Sequence, residues 1–157
     1  MPQKLLFVCL GNICRSPSAE NIMNELVAQA GLEKQIICDS AGTGAYHVGE
    51  PPDRRMSYAA SQRGLQLKGR ARQFVVDDFE SFDRIFAMDR SNYQNILRLD
   101  PQGKYKDKVE LICSYCSEHN DSEVPDPYYG GDAGFDYVLD LLYDACGNLL
   151  SELEEQV

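Results

Sequence analysis

From Lys4 to Leu10 the chain reads KLLFVCL, an apolar run that stops at Gly11-Asn12. A few residues later the pattern changes period. Ala19, Ile22, Met23, Leu26, Val27 and Ala30 recur at the spacing of one helical face. A buried strand, a short turn and an amphipathic helix in immediate succession leave few ways to fold. The spacing predicts Ser16 as N-cap and Pro17 at the first helical position, with Gly31 ending the helix.

The same alternation recurs downstream. Gln35–Ala41, Phe82–Met88 and Val109–Ile112 read as further strands. Asp53 can cap a helix reaching Arg63 and stopped by Gly64, and Asp89 or Ser91 opens another running to Leu99. A long loop after the fourth strand gives way to a C-terminal helix marked by Phe135, Val138, Leu139, Leu142, Cys146, Leu149, Leu150 and Leu153. Strands and helices in this order predict an α/β fold, a three-layer α/β/α sandwich around a four-stranded parallel sheet. With no internal repeat, linker or low-complexity tract, residues 1–157 are expected to form a single domain.

No apolar run approaches the ~20 residues that span a bilayer, and Leu5–Leu10 is too short for a secretory signal. A soluble, cytoplasmic protein without a membrane partner is expected. Six cysteines are then best read as free thiols in a reducing compartment. The net charge of −10 argues against a nucleic-acid partner. That charge is uneven: residues 109–157 hold twelve acids and no Lys or Arg, so that segment is −12 and the first 108 residues are +2. A solvated acidic face accounts for this.

In α/β sheets of this type, ligands sit beyond the carboxyl ends of the strands. The turn Cys9-Leu10-Gly11-Asn12-Ile13-Cys14-Arg15-Ser16 falls there. Its backbone N–H groups and the free N–H groups of the following helix can face one centre, with the helix dipole adding partial positive charge. Arg15 adds a permanent cation whose fork suits phosphate oxygens. Cys9, at the base of the ring, would have its thiolate stabilised by the same field and by the Ser16 hydroxyl. A nucleophilic sulfur beside a tetrahedral anion site suits attack on a phosphate ester, with the turn's donors holding the oxygens through the transition state. The leaving alcohol then needs an acid. C-x5-R alone is a modest signal, and a buried Cys with a surface Arg would satisfy it. Here the strand, turn and helix all agree with the site.

This turn resembles the signature loop of the low-molecular-weight protein tyrosine phosphatases. Asp126-Pro127-Tyr128-Tyr129-Gly130-Gly131 resembles that family's second signature. Ser40-Ala41-Gly42-Thr43, Gly49-Glu50-Pro51-Pro52-Asp53, Ala71-Arg72-Gln73 and Ala87-Met88-Asp89 are similar to further family segments, so the likeness runs along essentially the whole chain. It implies a Rossmann-like or flavodoxin-like sheet and hydrolysis of phosphotyrosine or aryl phosphate monoesters through a cysteinyl-phosphate. Cys9 would be the nucleophile, Arg15 the phosphate clamp, and Asp126 first general acid and then base. Pro125 and Pro127 stiffen the backbone around Asp126, which suits a held carboxyl. The resemblance implies Leu10, Gly11, Asn12, Ile13 and Cys14 as phosphate-loop residues, with Asn12, Ser16 and Ser40 as loop braces. It makes Tyr46, Tyr128 and Tyr129 aromatic walls. The position where family members often add a histidine to the bracing network is Gly69 here. Cys14 matches a residue that can form a disulfide with the nucleophile; a buried small apolar residue is the alternative.

No cofactor is implied, and inorganic phosphate would be product and inhibitor. Cys113, Cys116 and His119 have C-x2-C-x2-H spacing, but no fourth ligand is evident, so packing is preferred to a metal site. Cys38 and Cys146 lie on apolar faces. The principal rival is an arsenate reductase on the same fold, which would need resolving thiols such as Cys14 or Cys113 and Cys116. The intact Asp126-Pro127-Tyr128-Tyr129 segment favours the phosphatase. A non-catalytic phosphate-binding module has no need of Cys9 together with Asp126.

Overall fold

A computed structural model describes residues 1–128 and 130–156. Its sheet has four parallel strands in the order β2-β1-β3-β4. The strands are β1 (Gln3–Cys9), β2 (Ile36–Gly42), β3 (Arg84–Ala87) and β4 (Val109–Leu111). The helices are α1 (Arg15–Gln29), α2 (Arg54–Ser61), α3 (Asp78–Ser81), α4 (Arg90–Arg98) and α5 (Asp132–Gln156).

Both faces of β1 are buried, and the pleat divides its side chains between two cores. Leu5, Phe7 and Cys9 face a core shared with α1, α2 and α5, where Ile22, Met23, Leu142 and Leu149 pack. Leu6 and Val8 face the opposite core with Phe79, Ile85 and Ile96. Two covered faces make the expected three layers. β1 lies between β2 and β3, so the chain reverses its direction of travel across the sheet beside β1. A crevice opens at such a switch point beyond the strand's carboxyl end, where Cys9 stands.

The helix starts follow local chemistry. Asp53 caps α2 by accepting from the N–H groups of Arg55 and Met56 at 2.8 and 3.2 Å. Asp89, rather than Ser91, caps α4 by accepting from the Asn92 N–H at 2.7 Å. The first helix departs from expectation. Its N-cap is Cys14, its first residue is Arg15, and no side chain caps it. Ser16 is already the second helical residue, with its hydroxyl engaged with Cys9, and Pro17 is the third, still within the first turn, where a missing N–H costs nothing. Three shorter differences have simple causes. Ile112 leaves the sheet for a 3-10 turn over Ile112–Tyr115. The C-terminal helix begins at Asp132, ahead of its apolar face. The helix α3, with four residues, is too short to show a period.

Candidate active site

The turn after β1 closes around the Cys9 sulfur. Cys9 is 2% exposed, and the Asn12 N–H donates to its Sγ at 3.3 Å. Asn12 makes this possible by adopting φ 57°, a left-handed conformation that asparagine tolerates better than most side chains. The uncapped start of α1 keeps its first N–H groups directed into the same turn.

Hydrogen-bond directions at Asn12 follow from one contact. The Arg72 N–H can only donate, and it meets Asn12 Oδ1 at 3.0 Å. Asn12 Nδ2 therefore donates, to Ser16 Oγ at 2.7 Å and to Ser40 Oγ at 3.0 Å. Each hydroxyl must send its own proton elsewhere. Ser40 donates to Glu20 Oε1 at 2.6 Å. Ser16 Oγ lies 3.0 Å from Cys9 Sγ, a contact in which either atom can donate, and is also 3.4 Å from the Ala41 carbonyl, to which it can donate. The Asn12 side chain thus braces the hydroxyl that sits beside the nucleophile. The brace closes without a side chain at Gly69, whose φ of 105° disfavours any other residue.

Arg15 is 3% exposed and enters from the first turn of α1. Its Nη1 donates to Asp89 Oδ2 at 2.6 Å and to the Val124 carbonyl at 3.0 Å. Its Nη2 faces Asp126 Oδ2 at 3.6 Å. Burial opposes the Arg15 charge, but Cys9 and Asp89 outweigh it and raise the group's affinity for its proton. A fixed guanidinium therefore bridges the sulfur end of the cleft to the Asp126 end. Asp126 is held by the Tyr128 N–H, which donates to Oδ1 at 3.0 Å, leaving Oδ2 toward the cleft.

The cleft measures about 490 Å³. Leu10, Gly11, Ile13 and Cys14 from the turn line it with Cys9 and Arg15, and Asp126 and Tyr128 stand opposite. Tyr46 also lines it but is 76% exposed, a rim rather than a wall. Tyr129 lies outside the described residues. His47, absent from the sequence reading, completes the wall beside Tyr128, with ring centroids 5.9 Å apart.

Other residues recognised only in the structure act through the turn. Asp89 is visible in sequence as a helix cap, but not as the partner of an arginine 74 residues away. Glu20 lies one turn along α1 from Ser16, and burial raises its pKa against the lowering effect of Ser40. Burial, followed by Asp53 and Cys9, pushes the Cys14 thiol up, so Cys14 keeps its proton. The C-x2-C-x2-H group behaves as packing. Burial first, then Cys113, raises Cys116 to about 12, and His119 Nδ1 pairs with Asp144 at 2.8 Å. Among the described residues no cluster of three metal-ligating side chains occurs.

A buried thiol that accepts a backbone N–H, in one cleft with a buried arginine and a carboxyl, marks the class of thiol-dependent phosphoryl-transfer enzymes. The family model for low molecular weight phosphotyrosine protein phosphatase matches residues 4–157, and the chain belongs to that family. It is 46% identical, over 96% of both chains, to the low molecular weight phosphotyrosine protein phosphatase of Schizosaccharomyces pombe. The crystal structure of an Entamoeba histolytica protein tyrosine phosphatase with Hepes in its active site superimposes with a TM-score of 0.94. That pair shares 49% identity over 98% of each chain. A drosophila arginine phosphatase superimposes with a TM-score of 0.89 at 34% identity, covering 96% of this chain and 98% of that one. These likenesses to phosphatases do not favour the arsenate reductase reading.

Proposed function

We propose that Cys9 attacks the phosphorus of a phosphotyrosine or aryl phosphate monoester. The S–P bond forms as the P–O bond to the phenol breaks, and Asp126 gives its proton to the departing oxygen. The turn's N–H groups and Arg15 hold the three remaining oxygens. Asp126, now a carboxylate, takes a proton from water. That water attacks phosphorus, releasing inorganic phosphate and returning the Cys9 thiolate, to which Ser16 donates. The whole reaction needs no cofactor.

The observation that carries this reading is a buried sulfur contacted by Ser16 and the Asn12 N–H, in a cleft that Arg15 and Asp126 also line, 3.6 Å from each other. Tyr128 and His47 give the cleft depth, which suits the long reach of a phosphotyrosine over a phosphoserine. We place the whole reaction within one domain of residues 1–157 and in the cytoplasm. No described helix is long and apolar enough to cross a membrane.

Replacing Cys9→Ser tests the assignment. Aryl phosphate hydrolysis is expected to fall below detection while phosphate binding persists; turnover near that of the unaltered enzyme overturns the mechanism. Phosphotyrosine and phosphoarginine peptides assayed side by side separate the oxygen ester from the nitrogen ester, with the oxygen ester expected to be preferred.

A further inference from the structure

Arg55 stands outside the cleft, yet it holds the residue that holds Asp126. It is the second residue of α2, directly after the Asp53 cap and Arg54. Its side chain is 43% exposed, but its guanidinium is gripped from several sides. Nη2 donates to the Tyr128 carbonyl at 2.9 Å and to Asp53 Oδ2 at 3.4 Å. The same group lies over two rings, 5.2 Å from the Tyr128 centroid and 4.9 Å from that of Phe135. Both distances are within the reach of a cation–π contact. Phe135 is buried near the start of α5, so one side of this clamp is the core itself.

Tyr128 passes this hold to the acid. Its N–H donates to Asp126 Oδ1 at 3.0 Å, while Asp126 Oδ2 faces Arg15 across 3.6 Å. Upstream, the segment is fixed at Val124. The Val124 N–H donates to the Met88 carbonyl at 2.8 Å, and its carbonyl accepts from Arg15 at 3.0 Å. Downstream, the Gly130 N–H donates to the Pro127 carbonyl at 3.0 Å, a bond that lies within the segment. Arg55 grips Tyr128 from outside at two points, ring and carbonyl, and so limits how its N–H can swing. Asp53 is tied in turn, through its own N–H, to the Ile13 carbonyl at 2.8 Å. A continuous run of contacts thus leads from Ile13 through Asp53, Arg55 and Tyr128 to Asp126. It joins the phosphate turn to the acid by a path that does not use Arg15.

We infer that Arg55 is a positioning residue for the general acid: by holding the Tyr128 carbonyl and ring, it keeps the Asp126 carboxyl where the leaving oxygen departs. This rests on the reading of Asp126 as that acid. Proton transfer depends steeply on geometry, and a displacement of about 1 Å can cost about a hundredfold. A partly exposed carboxyl held by one N–H is open to such displacement once that N–H is free to move. The phosphate turn is insulated from the same change. Arg55 reaches it only through Asp53, which accepts from the backbone N–H groups of Arg55 and Met56 whatever side chain stands at position 55.

The test is kcat/KM across a series of phenyl phosphates whose phenols rise in pKa, since kcat/KM reports the steps up to loss of the phenol. Arg55→Met keeps a long stem and removes the donors. It is expected to slow alkyl-substituted phenyl phosphates about tenfold more than nitrophenyl phosphates. Inorganic phosphate should inhibit it as it does the unaltered enzyme. In an Asp126→Ala background, Arg55→Met should add no further dependence on the phenol, because the group it positions is gone. Four results overturn the inference: weaker inhibition by phosphate, equal slowing of all esters, no slowing of any, or a selective loss that persists without Asp126. Should Arg55→Met not fold, Arg55→Gln, with a shorter neutral side chain at the same exposed helical site, is read by the same criteria. Failure of the acid reading looks different: Asp126→Ala alone would then slow every ester alike.

Discussion

Asn12 braces the nucleophile's surroundings without touching the phosphorus. Its amide has one acceptor and two donors, and the acceptor is claimed by an N–H that cannot be reversed. Ser16, which accepts from that amide, has the Cys9 sulfur and the Ala41 carbonyl as partners for its proton. Asp126 stands under looser control, held by one N–H and facing Arg15 at 3.6 Å, with its side chain 34% exposed. A carboxyl placed to protonate a leaving oxygen matters most where that oxygen is a poor leaving group. Asp126→Ala is expected to slow alkyl-substituted phenyl phosphates by about a hundredfold or more and nitrophenyl phosphates much less, the range of general-acid contributions. Equal slowing across a series of phenols of rising pKa would remove Asp126 as the acid.

At the scale of elements, Cys9 is carried by the end of a strand and Arg15 by the start of a helix, while Asp126 sits on a connecting segment. Asp53 both caps α2 and, through its N–H, donates to the Ile13 carbonyl at 2.8 Å, tying that helix start to the phosphate turn. Asp53→Ala is expected to cost about 1 kcal/mol of stability, read from urea unfolding; no change would show that the two N–H groups find water at no loss. Elements of this kind were legible in the sequence wherever local chemistry decides. The C-x5-R turn, the Asp53 and Asp89 caps and the face of α5 are all written within a few neighbouring residues. Ser16 was misplaced because a cap serine and a serine that serves a sulfur look alike until the strand is folded beside them. Glu20, Arg72 and the Arg15–Asp89 pair could not be read, because their partners lie 20, 60 and 74 residues apart and meet only through the sheet. His47 was passed over because nothing local marks a loop histidine as lining a cleft.

Across the whole molecule, the anion site exists only when β1, α1 and the segment around Arg72 are assembled. A ligand bound there stabilises the folded state and gains nothing from the unfolded chain. Inorganic phosphate at a hundred times its dissociation constant is expected to add about 2.7 kcal/mol, which for a chain of this size raises the melting midpoint by roughly 5–10 °C. Scanning calorimetry at rising phosphate checks this, and a midpoint indifferent to phosphate, with sulfate as comparison, would count against the site. The strand order has one more implication. Cys9 ends a strand that has neighbours on both edges and packed helices on both faces, whereas Tyr46, His47 and Asp126 stand on connecting segments at the surface. Substitutions that alter how phosphate is gripped must pass through the core and disturb the fold. Substitutions that alter what the phosphate is attached to need not. A lineage built on this architecture is free to change its clients while its chemistry stays put.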